Sequence, residues 1–231
     1  MSRVFALLLL VAVSAPIGAQ APRPAPPAPT TDATFYWVAY IEVKPSGRAA
    51  AIQALKQYKE AVRINTASLR TELFEQVDRP GHLLLVETWQ SQPAFDSGTA
   101  ALRKRLTDAI DPIRTSGWDQ RPYKTLSIAS GRTEVTGRSV YVISHVDVTP
   151  DPKIAGMLND LAEKSRFEEG NARFDVLAHT MRSNHFEVIE AWQSQKALEN
   201  HAAATHTRQY RDDIQTALGS PLDERIYKAI E

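Results

Sequence analysis

The chain contains no cysteine among its 231 residues. That absence excludes disulfide bonds, thiolate nucleophiles, cysteine-bound zinc and iron–sulfur clusters. Charge of one sign is not in excess either, because 27 Lys and Arg residues balance 27 Asp and Glu residues. A formal net charge of zero argues against a nucleic-acid-binding protein, which needs a basic surface, and against a polybasic membrane-surface protein. With 43% hydrophobic and 23% charged residues, the composition is that of a globular protein.

The N-terminal apolar run is too short to span a membrane. Residues 4–13 form ten consecutive apolar positions after Arg3, whereas a transmembrane helix needs about 20. Small residues ending at Ala19 follow, and this order is typical of a secretory signal peptide at residues 1–19. We therefore expect cleavage near Ala19 and a periplasmic or secreted protein. The proline-rich segment 20–33 predicts an extended linker.

Two copies of one unit make up the rest of the chain. Residues 87–95 and 190–198 are identical at six of nine positions, at an offset of 103. Weaker matches before and after them have offsets of 105 and 104. Matching segments that keep the same order, with offsets that differ by only one or two residues, indicate a domain duplication. We assign the first unit to residues 34–128 and the second to residues 138–231.

Hydrophobic periodicity predicts the order β-α-β-β-α-β in each unit. In the second unit the predicted strands cover 140–148, 173–180, 185–192 and 223–230, and the predicted helices cover 153–167 and 195–218. Two helices on one face of a four-stranded sheet leave its other face exposed to water. Packing the sheets of the two units face to face would bury both bare faces, so we predict an intrachain pseudo-dimer of the α+β class.

Several motifs of the second unit resemble the antibiotic biosynthesis monooxygenase family, which includes small bacterial quinol monooxygenases. They are the turn at Glu169-Gly170, the strand end at Glu190-Ala191-Trp192, and the helix with His201 and His206. The first unit shares the strand end Glu87-Thr88-Trp89 and resembles the family more weakly. The resemblance implies two ferredoxin-like units that are fused as an intrachain dimeric α+β barrel.

The resemblance also implies a function. Characterised members oxidise hydroquinone or anthrone-type aromatics with molecular oxygen and without metal or flavin, and relatives degrade haem. Residues 208–212, where the haem-degrading branch has its axial histidine, offer no ligand here. We therefore expect a cofactor-independent monooxygenase whose partners are a small aromatic quinol or polyphenol and molecular oxygen. The alternative is a non-catalytic binding or stress-response protein that holds a hydrophobic ligand in the same pocket. A homo-oligomer of the pseudo-dimer is compatible with this arrangement.

Histidines distinguish the two units. Five of the six histidines lie in the second unit. Where that unit has His145, His201 and His206, the first unit has Tyr40, Gly98 and Arg103. Oxygenation without a cofactor needs a base that takes a proton from the substrate, and a neutral imidazole suits this task. We expect one working site, in the second unit, with His201 as the base.

Two further residues are candidates for catalysis. His145 is either a catalytic group that positions the substrate or a hydrogen-bonded histidine in the barrel seam. Asn171 either donates to a substrate anion or serves the turn that precedes it. The candidate substrate contacts are Trp192, Arg173, His206 and Tyr141. Trp192 has a duplicate in the first unit, so a structural role is its alternative.

Two of these histidines lie on the predicted helix 195–218. On an ideal helix His201 and His206 lie about 140° apart, so both cannot point into one pocket, and we place His201 toward it. A metal site built from His145, one of these histidines and Glu190 has no tight ligand spacing to support it. We therefore expect no metal and no other cofactor.

Overall fold

A computed structural model describes residues 33–129 and 139–231. Its strands are β1 (Phe35–Glu42), β2 (Ser68–Gln76), β3 (His82–Trp89), β4 (Asp119–Ser127), β5 (Val140–Asp147), β6 (Asn171–His179), β7 (His185–Trp192) and β8 (Asp223–Ala229). Its α-helices are α1 (Arg48–Arg63), α2 (Gln92–Ile110), α3 (Lys153–Arg166), α4 (Gln195–Ala203) and α5 (Thr205–Ile214). The predicted signal peptide and nearly all of the predicted linker lie outside the described residues. Within those residues, no helix is both long and apolar enough to cross a membrane.

The eight strands close into one antiparallel barrel in the order β1-β3-β2-β8-β5-β7-β6-β4. The last strand of each unit joins the two halves, because β4 pairs with β1 and with β6, and β8 pairs with β5 and with β2. The sheets of the two units are therefore continuous at their edges as well as facing each other. The prediction of two fused ferredoxin-like units that form a pseudo-dimeric α+β barrel is confirmed.

Three hydrophobic clusters stabilise this architecture. Helices α1 and α2 cover the outer face of the first unit's sheet, and α3 to α5 cover that of the second. The barrel interior is filled by side chains from both units, including Tyr36, Leu84, Ile143 and Ile189. That interior consists of the two sheet faces that separate units would expose, and each large apolar side chain buried there contributes about 1.5–3 kcal/mol.

The last helical segment of the second unit differs from the prediction. The sequence predicts one helix over residues 195–218, but the structure has α4 and α5, and helical structure ends at Ile214. Between them Ala204 has a ψ of 144°, which is extended backbone. The equivalent helix α2 of the first unit runs without interruption.

One extra residue explains the break. The N-caps Ser91 and Ser194 correspond at an offset of 103, whereas the buried Ile110 and Ile214 correspond at 104. An extra residue in a continuous helix would rotate everything after it by about 100° and turn Ile214 away from the core. The extended residue Ala204 absorbs the insertion, so both ends of the segment keep their packing.

Candidate active site

A cavity of about 230 Å³ lies between the sheet of the second unit and its helices. Much of its wall is apolar, with Val142, Val146, Leu161, Val188, Leu222 and Ile226 among the lining residues. Its polar side chains include Ser144, Glu190, His201 and Tyr210. A dry cavity of about 150 Å³ holds benzene, so this cavity has room for an aromatic molecule of one or two rings.

His201 is the buried histidine of this cavity, with 4% of the residue exposed. Its ring stacks on the indole of Trp192, with centroids 4.6 Å apart, and its Nδ1 lies 2.7 Å from Oε1 of Glu168. Because a carboxylate oxygen accepts hydrogen bonds, the nitrogen that contacts it is the one that carries the proton, so we assign the proton to Nδ1, which leaves a lone pair on Nε2. Burial lowers the pKa of His201 below its ordinary 6.5, although Glu168 opposes this shift. The ring is therefore neutral at pH 7.

Glu190 faces the other nitrogen of this ring. Its Oε2 lies 3.7 Å from Nε2 of His201 and accepts a hydrogen bond of 2.8 Å from Nε1 of Trp192. Burial raises the pKa of Glu190 to about 8. At neutral pH the cavity therefore holds a protonated carboxyl group next to a neutral imidazole.

Two hydroxyl groups of the lining residues are unpaired. The Oγ of Ser144 on β5 and the phenol oxygen of Tyr210 on α5 are buried and have no hydrogen-bond partner within the described ranges. Burial also raises the pKa of the Tyr210 phenol, which keeps it a donor. Since an unsatisfied buried hydroxyl costs about 1–3 kcal/mol, both groups are available to an oxygen atom of a ligand.

His206 lies close to His201 but does not line this cavity. Its Nε2 is 2.9 Å from Oε1 of Glu168, the same atom that contacts His201. The expected separation of about 140° assumes an unbroken helix. The break at Ala204 instead brings both rings to one carboxylate oxygen.

His145 lies on the opposite face of the sheet. Successive side chains of a strand point to opposite faces, so Ser144 points to the cavity and His145 points into the barrel. There its Nδ1 is 3.4 Å from Oε2 of Glu187, and its Nε2 is 3.4 Å from Nδ1 of His185. His145 therefore does not share a cavity with His201.

The barrel group around Glu187 joins the two units. Glu187 is fully buried and accepts a hydrogen bond of 2.6 Å from the hydroxyl of Tyr123 and another from the hydroxyl of Tyr40. Both tyrosines belong to the first unit, and both phenol pKa values are raised, chiefly by burial. This arrangement gives His145 a place in the interface between the units.

The remaining sequence candidates also lie outside the cavity wall. Arg173 is buried in the barrel, where it pairs with Asp175 at 2.6 Å and with Glu72 at 2.8 Å. Tyr141 packs in the barrel against Phe74, with ring centroids 4.7 Å apart. Asn171 donates to the Arg173 carbonyl at 3.3 Å. Trp192 is fully buried behind His201.

Sequence reasoning missed three groups of this site: Ser144, Glu168 and Tyr210. Their counterparts in the first unit, at offsets of 103 to 105, are Ala39, Asn65 and Leu106. The sequence therefore contained a signal. At each of these positions the first unit has an apolar or non-ionisable residue, and the second unit has a residue that donates or accepts protons. This signal becomes visible only when the two units are aligned residue by residue.

Known proteins resemble this chain in sequence and in fold. "Putative monooxygenase YcnE" of Bacillus subtilis (strain 168) is 27% identical over 82 residues, which cover 35% of this chain and 86% of YcnE. A crystal structure named as a putative monooxygenase of Fusobacterium nucleatum subsp. nucleatum ATCC 25586 superposes with a TM-score of 0.76 at 16% identity, over 87% of this chain and 94% of that one.

An "anthrone oxidase-like protein" has a TM-score of 0.67 at 14% identity, over 88% of this chain and 94% of its own. At such identities the two structural matches establish the fold alone. The family model described as "Antibiotic biosynthesis monooxygenase" matches residues 34–100 and 153–213, more than half of the chain and a part of each unit. The protein therefore belongs to the antibiotic biosynthesis monooxygenase family.

Proposed function

We propose that the protein is a monooxygenase that oxidises a small aromatic quinol, polyphenol or anthrone-type compound with molecular oxygen and without a cofactor. The observation that carries this proposal is the pair Glu168–His201, which directs the free Nε2 of a neutral imidazole to an apolar cavity. Family membership supports the reaction class. The volume and apolar wall of the cavity support a small aromatic substrate.

His201 acts as the general base in this proposal. Its Nε2 takes the proton of a phenol hydroxyl or of an activated methylene group. Glu168 at Nδ1 stabilises the imidazolium that forms, in the way that a buried carboxylate supports a catalytic histidine elsewhere. The substrate becomes an anion that is electron-rich enough to pass an electron to oxygen.

The hydroxyl groups of Ser144 and Tyr210 stabilise that anion. Both line the cavity, and both lack a hydrogen-bond partner within the described part of the chain. Donors that are fixed before the reaction lower the energy of a developing oxyanion without reorganisation. Apolar side chains make up much of the wall, and the low dielectric that they provide beside the anion strengthens these interactions.

The reaction balances without an external reductant. When a methylene group becomes a carbonyl group, one oxygen atom enters the product and the other leaves as water with the two methylene hydrogens. When a hydroquinone becomes a hydroxyquinone, one oxygen atom again enters the product and the other leaves as water. In both cases the substrate supplies all the electrons, so neither flavin nor metal is required by the stoichiometry.

Oxygen uptake with a panel of hydroquinones and anthrones tests the proposal. We expect consumption of one O₂ for each substrate molecule and, with ¹⁸O₂, one labelled atom in the product. Autoxidation without protein and with heat-denatured protein provides the baseline. Tight binding of these compounds with uptake no faster than this baseline would favour the alternative, a non-catalytic binding protein.

A further inference from the structure

Three metal-ligating side chains of the second unit meet at the break between α4 and α5. Nδ1 of His201 and Nε2 of His206 lie 2.7 and 2.9 Å from the same oxygen of Glu168. All three ligand atoms are within 4.8 Å of one another. We propose that these residues bind one divalent transition-metal ion, such as Zn²⁺, which inhibits the reaction instead of performing it.

The ligand set suits such an ion. Two imidazole nitrogens and one carboxylate oxygen are common ligands of Zn²⁺, with bonds of about 2.0–2.2 Å. In a tetrahedral site with such bonds, neighbouring ligand atoms lie about 3.3 Å apart. The two observed contacts are shorter than this separation, so the side chains need to move apart by less than about 1 Å to admit an ion.

The surroundings support binding as well. Ligating histidines usually donate their second ring nitrogen to a carboxylate, and Nε2 of His201 faces Oε2 of Glu190 at 3.7 Å. An ion has access from outside, because the side chains of His206 and Glu168 are 22% and 16% exposed. His206 also lines a neighbouring cavity of about 380 Å³, whose charged residues are Asp160, Asp213 and Lys164.

The first unit has no counterpart of this group. At an offset of 103, Glu168 and His201 correspond to Asn65 and Gly98, and His206, which follows the inserted residue, corresponds at an offset of 104 to Leu102 instead of the expected Arg103. Neither glycine nor leucine has a side-chain atom that binds a metal ion. We therefore expect a single ion for each chain.

Inhibition follows from the tautomer of His201, and this step rests on the proposed function. An ion on Nδ1 displaces the proton from that nitrogen. The neutral ring then carries its proton on Nε2, which faces Oε2 of Glu190 at 3.7 Å. A protonated Nε2 has no lone pair for the substrate proton, so the metal-bound enzyme loses its base.

Calorimetric titration of the untagged chain with Zn²⁺, together with the absorption spectrum of the Co²⁺ form, tests the site. We expect one ion per chain and a loss of affinity of roughly tenfold or more in His206→Gln and in Glu168→Gln. His185→Gln is the matched control, because it removes a histidine from the barrel group and leaves the three ligands intact. Absence of stoichiometric binding, or full affinity in His206→Gln, would overturn the proposal. A thermal melt of each variant verifies folding.

The inhibition is measured in a separate assay, with a quinol that the protein oxidises. We expect Zn²⁺ to stop wild-type turnover at the concentrations that fill the site, while the activity that remains in His206→Gln resists the ion. Equal inhibition of both proteins would place the inhibitory ion elsewhere and contradict the inference. If no compound is oxidised, the proposed function fails, and the calorimetric titration still decides whether the site exists.

Discussion

The two sheet–helix cavities of the molecule have similar size and different chemistry. The cavity of the first unit has a volume of about 290 Å³, and that of the second about 230 Å³. In each unit a buried glutamate, Glu87 or Glu190, accepts a hydrogen bond from the indole of the tryptophan two residues later. This duplicated pair is therefore part of the fold, and it does not by itself distinguish a reactive cavity from an unreactive one.

The difference lies in what else faces the glutamate. Glu87 accepts a second hydrogen bond of 3.0 Å from the hydroxyl of Tyr58, whereas Glu190 faces the imidazole of His201. The guanidinium group of Arg103 lies 4.5 Å from the ring centroid of Phe95 beside the first cavity. A few substitutions on an unchanged frame thus give the two cavities different side chains around an equivalent glutamate.

Replacement of His201, the proposed base, is the strongest test of this contrast. We expect His201→Ala to lower the rate of quinol oxidation by at least about a hundredfold, because general-base catalysis is worth about 10²–10⁴-fold. The first-unit variant Glu87→Gln should leave the rate within about twofold of wild type. Initial rates of oxygen uptake measure both effects, and a thermal melt of the same preparations verifies folding. A folded His201→Ala protein that works at the wild-type rate would refute the base assignment.

Gly98 shows how completely the first unit has lost space for such a base. A Cβ atom at Gly98 would lie 2.4 Å from Nδ2 of Asn65 and 3.2 Å from the ring of Trp89. We therefore expect Gly98→Ala to lower the free energy of unfolding by up to about 2 kcal/mol, because the usual overpacking cost of about 1–3 kcal/mol exceeds the gain of about 0.8–1.0 kcal/mol that alanine brings inside a helix. The variant is for this reason a poor neutral control for activity. Urea denaturation monitored by tryptophan fluorescence provides the measurement.

Gly156→Ala is the matched control for that substitution. Gly156 lies in α3 of the second unit, and an added Cβ there meets no atom within 4 Å. Since alanine is a better helix former than glycine by about 0.8–1.0 kcal/mol, this variant should be as stable as wild type or more so. If Gly98→Ala were equally harmless, the close packing at Asn65 would not constrain the first unit.

Most of the fold could be predicted because it depends on local patterns. Alternation of apolar residues placed strand β7 at residues 185–192 and β5 at 140–148, and the structure has them at His185–Trp192 and Val140–Asp147. Helix starts are local as well, since the N-cap residues Ser91 and Ser194 each accept a backbone hydrogen bond from the residue three positions later. Such signals require no knowledge of tertiary contacts.

The candidate site could be predicted only in part, because it depends on contacts between elements. His201 could be predicted because the equivalent position of the first unit is Gly98. Glu168 could not, because it contacts His201 from the turn after α3, a different element. His145 was an equally good candidate in the sequence, and the strand register directs it to the other face. The helix break that brings His206 to Glu168 follows from one inserted residue, which becomes identifiable once Ile110 and Ile214 are both known to be buried.

The buried glutamate of the first unit should make stability depend on pH. Burial raises the pKa of Glu87 from 4.5 to about 7, so the folded state binds this proton more tightly than the unfolded state does. Its contribution to stability is therefore complete below about pH 4.5 and is lost as the pH rises to about 7. We expect the melting temperature of Glu87→Gln to decline less than that of wild type between pH 5 and pH 8. Parallel melting curves of the two proteins across this range would contradict the assignment.

The smallest expected difference concerns the helix caps that the two units share. The cap bond is 3.1 Å long from the Ala197 amide to Ser194 and 3.4 Å long from the Ala94 amide to Ser91. Pro93 also removes one unpaired amide from the first turn of α2 and fixes its φ in the helical range, so that helix depends less on its cap. We expect Ser194→Ala to cost about 1 kcal/mol and Ser91→Ala about half of that. Denaturant midpoints of the two variants measure the difference, and a larger loss for Ser91→Ala would show that the proline does not replace the cap.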